Sequence, residues 1–296
     1  MKVLFLTNEY PPHIYGGAGV HVGYLSRELA KTMPVEVRCF GDQRLEEGNL
    51  KVIGFKRDIE RLFAIDSTRV HVIHNGIDLK QYRKADSTLA LKRYGIDPNT
   101  PYLLFVGRIT RQKGFQHLVR AIQFMDRDFQ IVLCAAAPDT PGMAEEMRTA
   151  VERAKMQRPG IIWIDEMVDQ KTACELYSQA AVFVCPSIYE PFGIINLEAM
   201  ACETAVVASA VGGIKEVVAD GETGFLIALE QMNESPFEAT NPKKFARDLA
   251  TRINQLMNDR QLRERFGKAG RKRVEENFGW AAIAEKTKKL YETLKR

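Results

Sequence analysis

The chain has 296 residues, 45% of them hydrophobic, with 21 Gly and 12 Pro, a globular composition whose length favours two domains over one. A net charge of +4 suits an anionic small ligand and lies far from the basic stripe of a nucleic-acid binder. No stretch approaches the roughly 18 apolar residues of a membrane span, and only four consecutive apolar residues precede Thr7, too few for a signal peptide, so a cytoplasmic protein is expected.

In chain order the apolar or β-branched runs fall at 2–7, 35–40, a weaker 50–55, 69–74, 102–107, 129–135, 160–164, 181–187, 205–209 and 223–227. Helical spacing of apolar residues appears at 19–32, 56–65, 115–125, 143–156, 170–180 and 194–202. Short strands alternating with helices predict an α/β protein of βαβ units, its parallel sheets covered on both faces. Beyond residue 240 the pattern is purely helical, "KKFARDLATRINQLM" and "WAAIAEKTKKLYETL". The polar patch "RLEEGN" at 44–49 reads as a loop. That leaves about four strands before residue 98, against five or six from 102 onward, where a doubly wound domain has about five or six. The first sheet is therefore expected to carry an uncovered edge, a route to a homo-oligomer. Cys39, Cys134, Cys174, Cys185 and Cys202 form no Cys-x-x-Cys pair, and read as reduced cysteines of an intracellular protein.

Ligands of open α/β sheets bind beyond the carboxyl ends of strands, at helix N-termini, and three such loops are chemically loaded. In "EYPPHIYGGAGVHVGYL" (9–25), Gly16, Gly17 and Gly19 permit close backbone approach to a ligand. In "FVGRITRQKGF" (105–115), Arg108 and Lys113 follow a hydrophobic strand; a guanidinium fork and an ammonium point charge there form a clamp for phosphate oxygens. In "PSIYEPFGIINLEAM" (186–200), Gly193 exposes backbone N–H groups at a helix start, where the dipole favours an anion. Glu190 hangs in that loop and Glu198 lies in the second helical turn. Together the three suit a sugar nucleotide, with cations on the diphosphate and one acid for each sugar. Asp126-Arg127-Asp128 mimics a metal-binding DxD motif, but it precedes a strand rather than following one, so it reads as a helix-to-strand turn.

"GRITRQKG" followed by "PSIYEPFGIINLEAMACETAVVASAVGGIKEVVADGETGFLI" resembles the donor domain of retaining family-4 (GT4) glycosyltransferases of the GT-B group, the Glu-x7-Glu pattern being Glu190 to Glu198. "HVIHNGID" (71–78) is similar to that family's interdomain stretch and "KVLFLTNEYPPHIYGGAGVHV" to its first strand and glycine loop. The wording is closest to bacterial glycogen-synthase-like members, and the match covers residues 1–42 and about 56–296.

The resemblance implies a GT-B fold of two Rossmann-like domains, the N-terminal one incomplete. It places a truncated acceptor-side domain at 1–97, a nucleotide-sugar donor domain at 98–276, and at 277–296 a helix crossing back to the first domain. Arg108 and Lys113 would hold the diphosphate and stabilise the leaving nucleotide, and Glu190 would orient the transferred sugar. Phe192, Gly193 and Ile194 would border the donor, the last two giving N–H groups to phosphate. Glu198 would hold the ribose, Met167 the base edge, and Gly16 and Gly17 would close over the donor. No metal and no cofactor is implied. The expected substrates are ADP- or UDP-glucose as donor and a glycan or small hydroxyl compound as acceptor. Family members are longer, the missing part falling between Gly54 and Arg57, and Tyr15 stands where glycogen synthases often carry Lys before the glycine pair. The missing part would carry an active-site histidine that none of the five histidines supplies. Donor binding should survive this shortening, while transfer should be slow or give way to hydrolysis as water exclusion weakens. The alternatives are a sugar-nucleotide binding module without turnover and, with no base poised at the sugar, an epimerase of the same shape.

Overall fold

The computed structural model describes residues 3–7, 22, 26–27, 29–40, 44–55, 74–232 and 237–293. The chain forms two compact units, Met1–Val72 and Ile73–Arg296.

In the first unit, β1 (Val3–Thr7), β2 (Val35–Phe40), β3 (Arg44–Glu47) and β4 (Leu50–Phe55) lie in the order β1-β2-β4-β3. The first two and β4 run parallel, and β3 is antiparallel to β4. Alternate residues Val35, Val37 and Cys39 of β2 meet Leu50 and Val52 of β4 in a small core, the period of two that a half-buried strand demands. The expectation of a loop at 44–49 is corrected here: Arg44–Glu47 pairs with Leu50–Ile53 through a two-residue turn at Gly48 and Asn49. Gly48 supplies the positive φ, 55°, that such turns need. Charged residues hid the strand because it is an edge, where charge discourages further pairing. Gly16 and Gly17, the expected helix at 56–65 and most of the expected strand at 69–74 lie outside the described residues.

The second unit is built on β5 (Tyr102–Arg108), β6 (Gln130–Ala136), β7 (Ile161–Ile164), β8 (Val182–Cys185), β9 (Ala205–Ser209) and β10 (Gly224–Ile227). All six are parallel, in the order β10-β9-β8-β5-β6-β7. Nine described helices accompany them: α1 (Leu89–Tyr94), α2 (Phe115–Ala121), α3 (Pro141–Gln157), α4 (Gln170–Gln179), α5 (Ile194–Ala201), α6 (Ile214–Val217), α7 (Pro242–Asn258), α8 (Arg260–Asn277) and α9 (Trp280–Thr293). Each central strand feeds two cores. Leu103, Phe105, Leu133 and Val184 join Leu118, Leu249 and Ile253 on one face, while Leu104, Val132, Phe183 and Cys185 join Leu176, Leu197 and Met200 on the other. Burial on both faces explains why these strands read as continuous apolar runs.

The units divide at Val72–Ile73 rather than between 97 and 98. Ile77, Ala90, Leu91 and Ile96 are buried in the second unit's core, and the Glu175 carboxylate accepts from the Ala90 N–H at 2.8 Å. These isolated apolar residues have no strong period, so sequence alone gave no reason to detach them from the first domain. The terminal segment also belongs to the second unit: Phe278 and Ile283 are buried, and Ile77 N–H donates to the Phe278 carbonyl at 2.8 Å. All five cysteines are free and buried. Among the described residues no helix is long and apolar enough to cross a membrane.

Candidate active site

The connection after β5 runs through α2 to β6 on one side, whereas the chain returns through α4 to place β8 on the other side of β5. The reversal makes β5–β8 the topological switch point, where the loops splay and a crevice opens beyond the strand ends. Two loops meet there. In the one after β5, the Thr110 hydroxyl accepts from Lys113 N–H at 3.1 Å and Gly114 N–H donates to the Arg111 carbonyl at 3.0 Å. Gly114 has φ 65°, and a Cβ built on it would lie 1.9 Å from the Pro186 carbonyl oxygen, so only glycine lets the two loops come this close. Ile188 N–H then donates to the Gln112 carbonyl at 2.9 Å.

This interlock brings together two of the residues singled out from sequence. Lys113 Nζ lies 2.6 Å from Glu190 Oε2, with side chains 19% and 9% exposed, and the Ser187 hydroxyl donates to the same oxygen at 3.3 Å. The Glu190 backbone is fixed from below: Gly213 N–H donates to its carbonyl at 3.0 Å, and a Cβ on Gly212 would lie 2.0 Å from that oxygen. A nearly buried ammonium–carboxylate pair is a charge-assisted contact, and a phosphate arriving at Lys113 competes with Glu190 for the ammonium protons.

The two helices that start at the switch point lack a side-chain cap that four other helices have. Thr140, Asp169, Asn241 and Asp259 each accept a hydrogen bond from the first turn of α3, α4, α7 and α8. The N-cap residues of α2 and α5 are Gly114 and Gly193, both left-handed and neither offering a side-chain cap. Amides at an uncapped helix start are donors for an anion, favoured by the dipole. Asn196, fully buried in the first turn of α5, donates to the Gly193 carbonyl at 3.2 Å and holds that turn open.

Glu198 lies on α5 one turn further on. Tyr177 Oη donates to Glu198 Oε2 at 3.0 Å, and the Tyr82 hydroxyl lies near the same carboxylate and acts on its charge. Burial pushes the Glu198 carboxyl up; the two tyrosine hydroxyls and the Lys113 charge act in the opposite sense. Burial and the neighbouring Glu198 charge hold both tyrosine hydroxyls protonated, with Tyr177 well above its ordinary value, so they are fixed donors. A carboxylate already accepting from the Tyr177 O–H has further lone pairs for a diol. Sequence reasoning missed Tyr82 and Tyr177, because neither stands in a motif and each reaches Glu198 across the fold.

The remaining expected residues are more dispersed. Arg108 ends β5 and lies 3.6 Å from Asp139 of the loop after β6. Met167 is exposed in the loop between β7 and α4. Phe192 stacks on His74, ring centroids 5.6 Å apart, and His74 also contacts the Glu216 carboxylate. Ile194 is the exposed first residue of α5. Asp126–Asp128 forms the turn into β6, where Asn254 and Asn258 donate to the Asp126 carboxylate at 3.2 and 2.9 Å. Among the described residues no group of His, Cys, Asp and Glu has the arrangement of a metal site.

Charged loops thus meet at the switch point of a parallel sheet, on a chain with a two-unit α/β layout. The chain belongs to the glycosyl transferases group 1 family, whose sequence model matches residues 86–236. It is 36% identical to the alpha-maltose-1-phosphate synthase of Mycolicibacterium smegmatis, over 98% of this chain and 99% of that one. That alignment runs over 390 positions against a chain of 296 residues, so about a hundred positions of the relative have no counterpart here, in keeping with the shortened first domain. In fold the chain is similar to sucrose-phosphate synthase from Thermosynechococcus elongatus, with TM-score 0.63, 21% identity and coverage of 99% and 98% of the two chains. It is similar too to Anabaena HepE, solved in complex with UDP, with TM-score 0.69, 16% identity and coverage of 99% and 100%.

Proposed function

We propose that this glycosyltransferase moves a hexosyl group, glucosyl in the first instance, from a nucleoside diphosphate sugar to a hydroxyl of a glycan or small acceptor, with retention of configuration. The observation that carries the reading is the Lys113–Glu190 pair beside the uncapped start of α5. Glycosyl transfer from a diphosphate needs positive charge where the leaving group gathers negative charge, and a preorganised ammonium with free helix-end amides supplies it in place. Lys113 and Arg108 serve the diphosphate, and Glu190, released from Lys113 as phosphate enters, orients the sugar and favours positive charge at its anomeric carbon. Glu198 with Tyr177 serves the ribose and Met167 the base edge. The name of the M. smegmatis relative, a synthase of a disaccharide phosphate, supports a phosphorylated sugar as one acceptor to try. UDP in the HepE crystal makes UDP-glucose a donor to try beside ADP-glucose. A homo-oligomeric, cytoplasmic enzyme working without metal or cofactor completes the reading.

Lys113→Ala removes a charge-assisted contact of about 1.5–3 kcal/mol, so nucleoside diphosphate affinity in calorimetry should fall ten- to a hundredfold. Unchanged affinity would sink the assignment. The second reading, a sugar-nucleotide binding module or slow hydrolase, is favoured by the shortfall of about a hundred aligned positions. Product analysis separates them: an α-glucoside means retaining transfer, free glucose means hydrolysis, and intact donor with measurable binding means a module.

A further inference from the structure

Tyr189, next to Glu190 on the same loop, meets Phe237 from a distant segment, and both rings are part-exposed. Tyr189 and Phe237 stack with centroids 6.0 Å apart and planes 17° apart, yet they are 49% and 37% exposed. Phe237 comes from the segment after β10 and is held in an uncommon way. Its φ is 59°, the left-handed region that a bulky L-residue enters only at a cost. Gln231 Nε2 donates to the Phe237 carbonyl at 2.7 Å and to the Ile188 carbonyl at 2.6 Å, tying that segment to the loop that carries Glu190. Met232 N–H donates to the Glu238 carbonyl at 2.9 Å and closes the turn. Backbone strain persists only where the surroundings over-determine it, and it clusters at ligand sites. Here the strain and the side-chain clamp hold an aromatic ring out into solvent.

Resting on the transferase reading above, we infer that Tyr189 and Phe237 form a carbohydrate-stacking platform that takes one pyranose ring of an acceptor glycan. A pyranose presents a face of C–H groups with its hydroxyls around the rim. That face suits the negative face of an aromatic ring, and covering it removes apolar area from water. A nucleobase also stacks on aromatics, but the proposed base contact, Met167, follows β7, which is separated from β8 by β5 and β6. What reaches Tyr189 is therefore sugar from the Glu190 side. The platform gives a reason for an acceptor chain longer than one unit to bind better than a monosaccharide.

The test uses the whole chain, maltotriose as probe and ADP or UDP as control ligand, read by saturation-transfer NMR and calorimetry. Expected are saturation of pyranose ring protons in the wild type, about a tenfold loss of maltotriose affinity in Tyr189→Ala and Phe237→Ala, unchanged nucleotide affinity in both, and retention in Tyr189→Phe. Should Phe237→Ala fail to fold, Tyr189→Ala decides alone. Nucleotide binding without maltotriose binding, or equal maltotriose affinity in Tyr189→Ala, overturns the platform and leaves the transferase reading standing. Maltotriose binding lost in the variants, with no nucleotide binding in any, upholds the platform and removes the transferase reading. Binding of neither ligand ends both.

Discussion

Strands β5 and β8 place alternate residues in two separate cores, so Leu103 and Leu104 are both fully buried though they point opposite ways. Strands β2 and β4 share a single described core of five residues, and on β2 Arg38 donates to Glu36 at 2.5 Å. A sheet covered on both faces is a rigid base whose strand ends can hold side chains to a fraction of an ångström. The charged loops of the candidate site stand on that sheet. The largest expected effect follows from this difference. Leu104→Ala should cost about 2–5 kcal/mol through lost transfer energy and a cavity. Val37→Ala, short of two carbons at about 0.8 kcal/mol per methylene, should cost about 1.6 kcal/mol in transfer energy, below that range. Hydrogen exchange would show the first accelerating exchange across Tyr102–Arg108 and Gln130–Ala136, and the second only within Val35–Phe40. Equal costs would erase the contrast between the sheets.

Glycines sharpen the same contrast. Gly48 and Gly114 have nearly the same backbone, φ 55° and 65°, but a Cβ on Gly48 meets nothing among the described residues, whereas on Gly114 it would lie 1.9 Å from the Pro186 carbonyl oxygen. Gly48→Ala should cost only the left-handed penalty, about 1–2 kcal/mol. Gly114→Ala adds a displacement of the loop carrying Glu190, and its signature is nucleotide affinity lost beyond the loss of stability. Nucleotide titrations of the two variants giving the same affinity would show that the interlock is not what shapes the site.

The second unit's strands were legible because burial on both faces writes them as apolar runs, and its switch-point loops because glycine and cations punctuate strand ends. Arg44–Glu47 was not legible, since an edge strand needs only a partner and not an apolar sequence. The boundary at Val72–Ile73 was hidden because four scattered apolar residues, Ile77, Ala90, Leu91 and Ile96, decide it in three dimensions. Within the site, Lys113 and Glu190 could be foreseen from their strand ends, but not their direct pairing. Ser187 acts locally, three residues from Glu190, but Tyr82, Tyr177 and His74 act across the fold, where no local spacing announces them.

A part-buried carboxylate on α5 is the next test. Burial raises the Glu198 carboxyl above its ordinary value against the pull of Tyr82, Tyr177 and Lys113. The folded state then binds its proton more tightly than the unfolded chain does. Stability falls as pH rises from the ordinary carboxylate range through the raised value. Glu198→Gln should therefore be more stable than the parent at pH 7, with the advantage vanishing as pH falls below the ordinary glutamate range, while losing affinity for nucleotides that carry a ribose diol. Denaturant melts of both proteins across that range check the sign. A variant less stable at every pH would mean that the tyrosine hydrogen bonds outweigh burial.

The smallest effect concerns His117 on α2, whose ring is fully buried against Phe245, centroids 5.4 Å apart and planes 87° apart. Burial first, and the Arg120 charge second, push its imidazole down to about 4 from 6.5. The unfolded chain takes up a proton near pH 6.5 that the folded state refuses until about pH 4, so stability is whole above the first value and drains as pH falls towards the second. Nearby Glu238, 3.7 Å from the ring, is too far for a hydrogen bond and does not offset burial. His117→Leu keeps the apolar contact with Phe245 and removes the titration. Its melts should track the parent above pH 7 within a small offset and flatten between pH 6.5 and 4. Because α2 opens at Gly114, directly after Lys113, the same series with nucleoside diphosphate present tells whether the protonated ring loosens the switch-point loop: a parent whose nucleotide affinity falls with its stability in that window, beside a variant whose affinity holds, would tie the helix to the site. Parallel curves with and without nucleotide would confine His117 to the core.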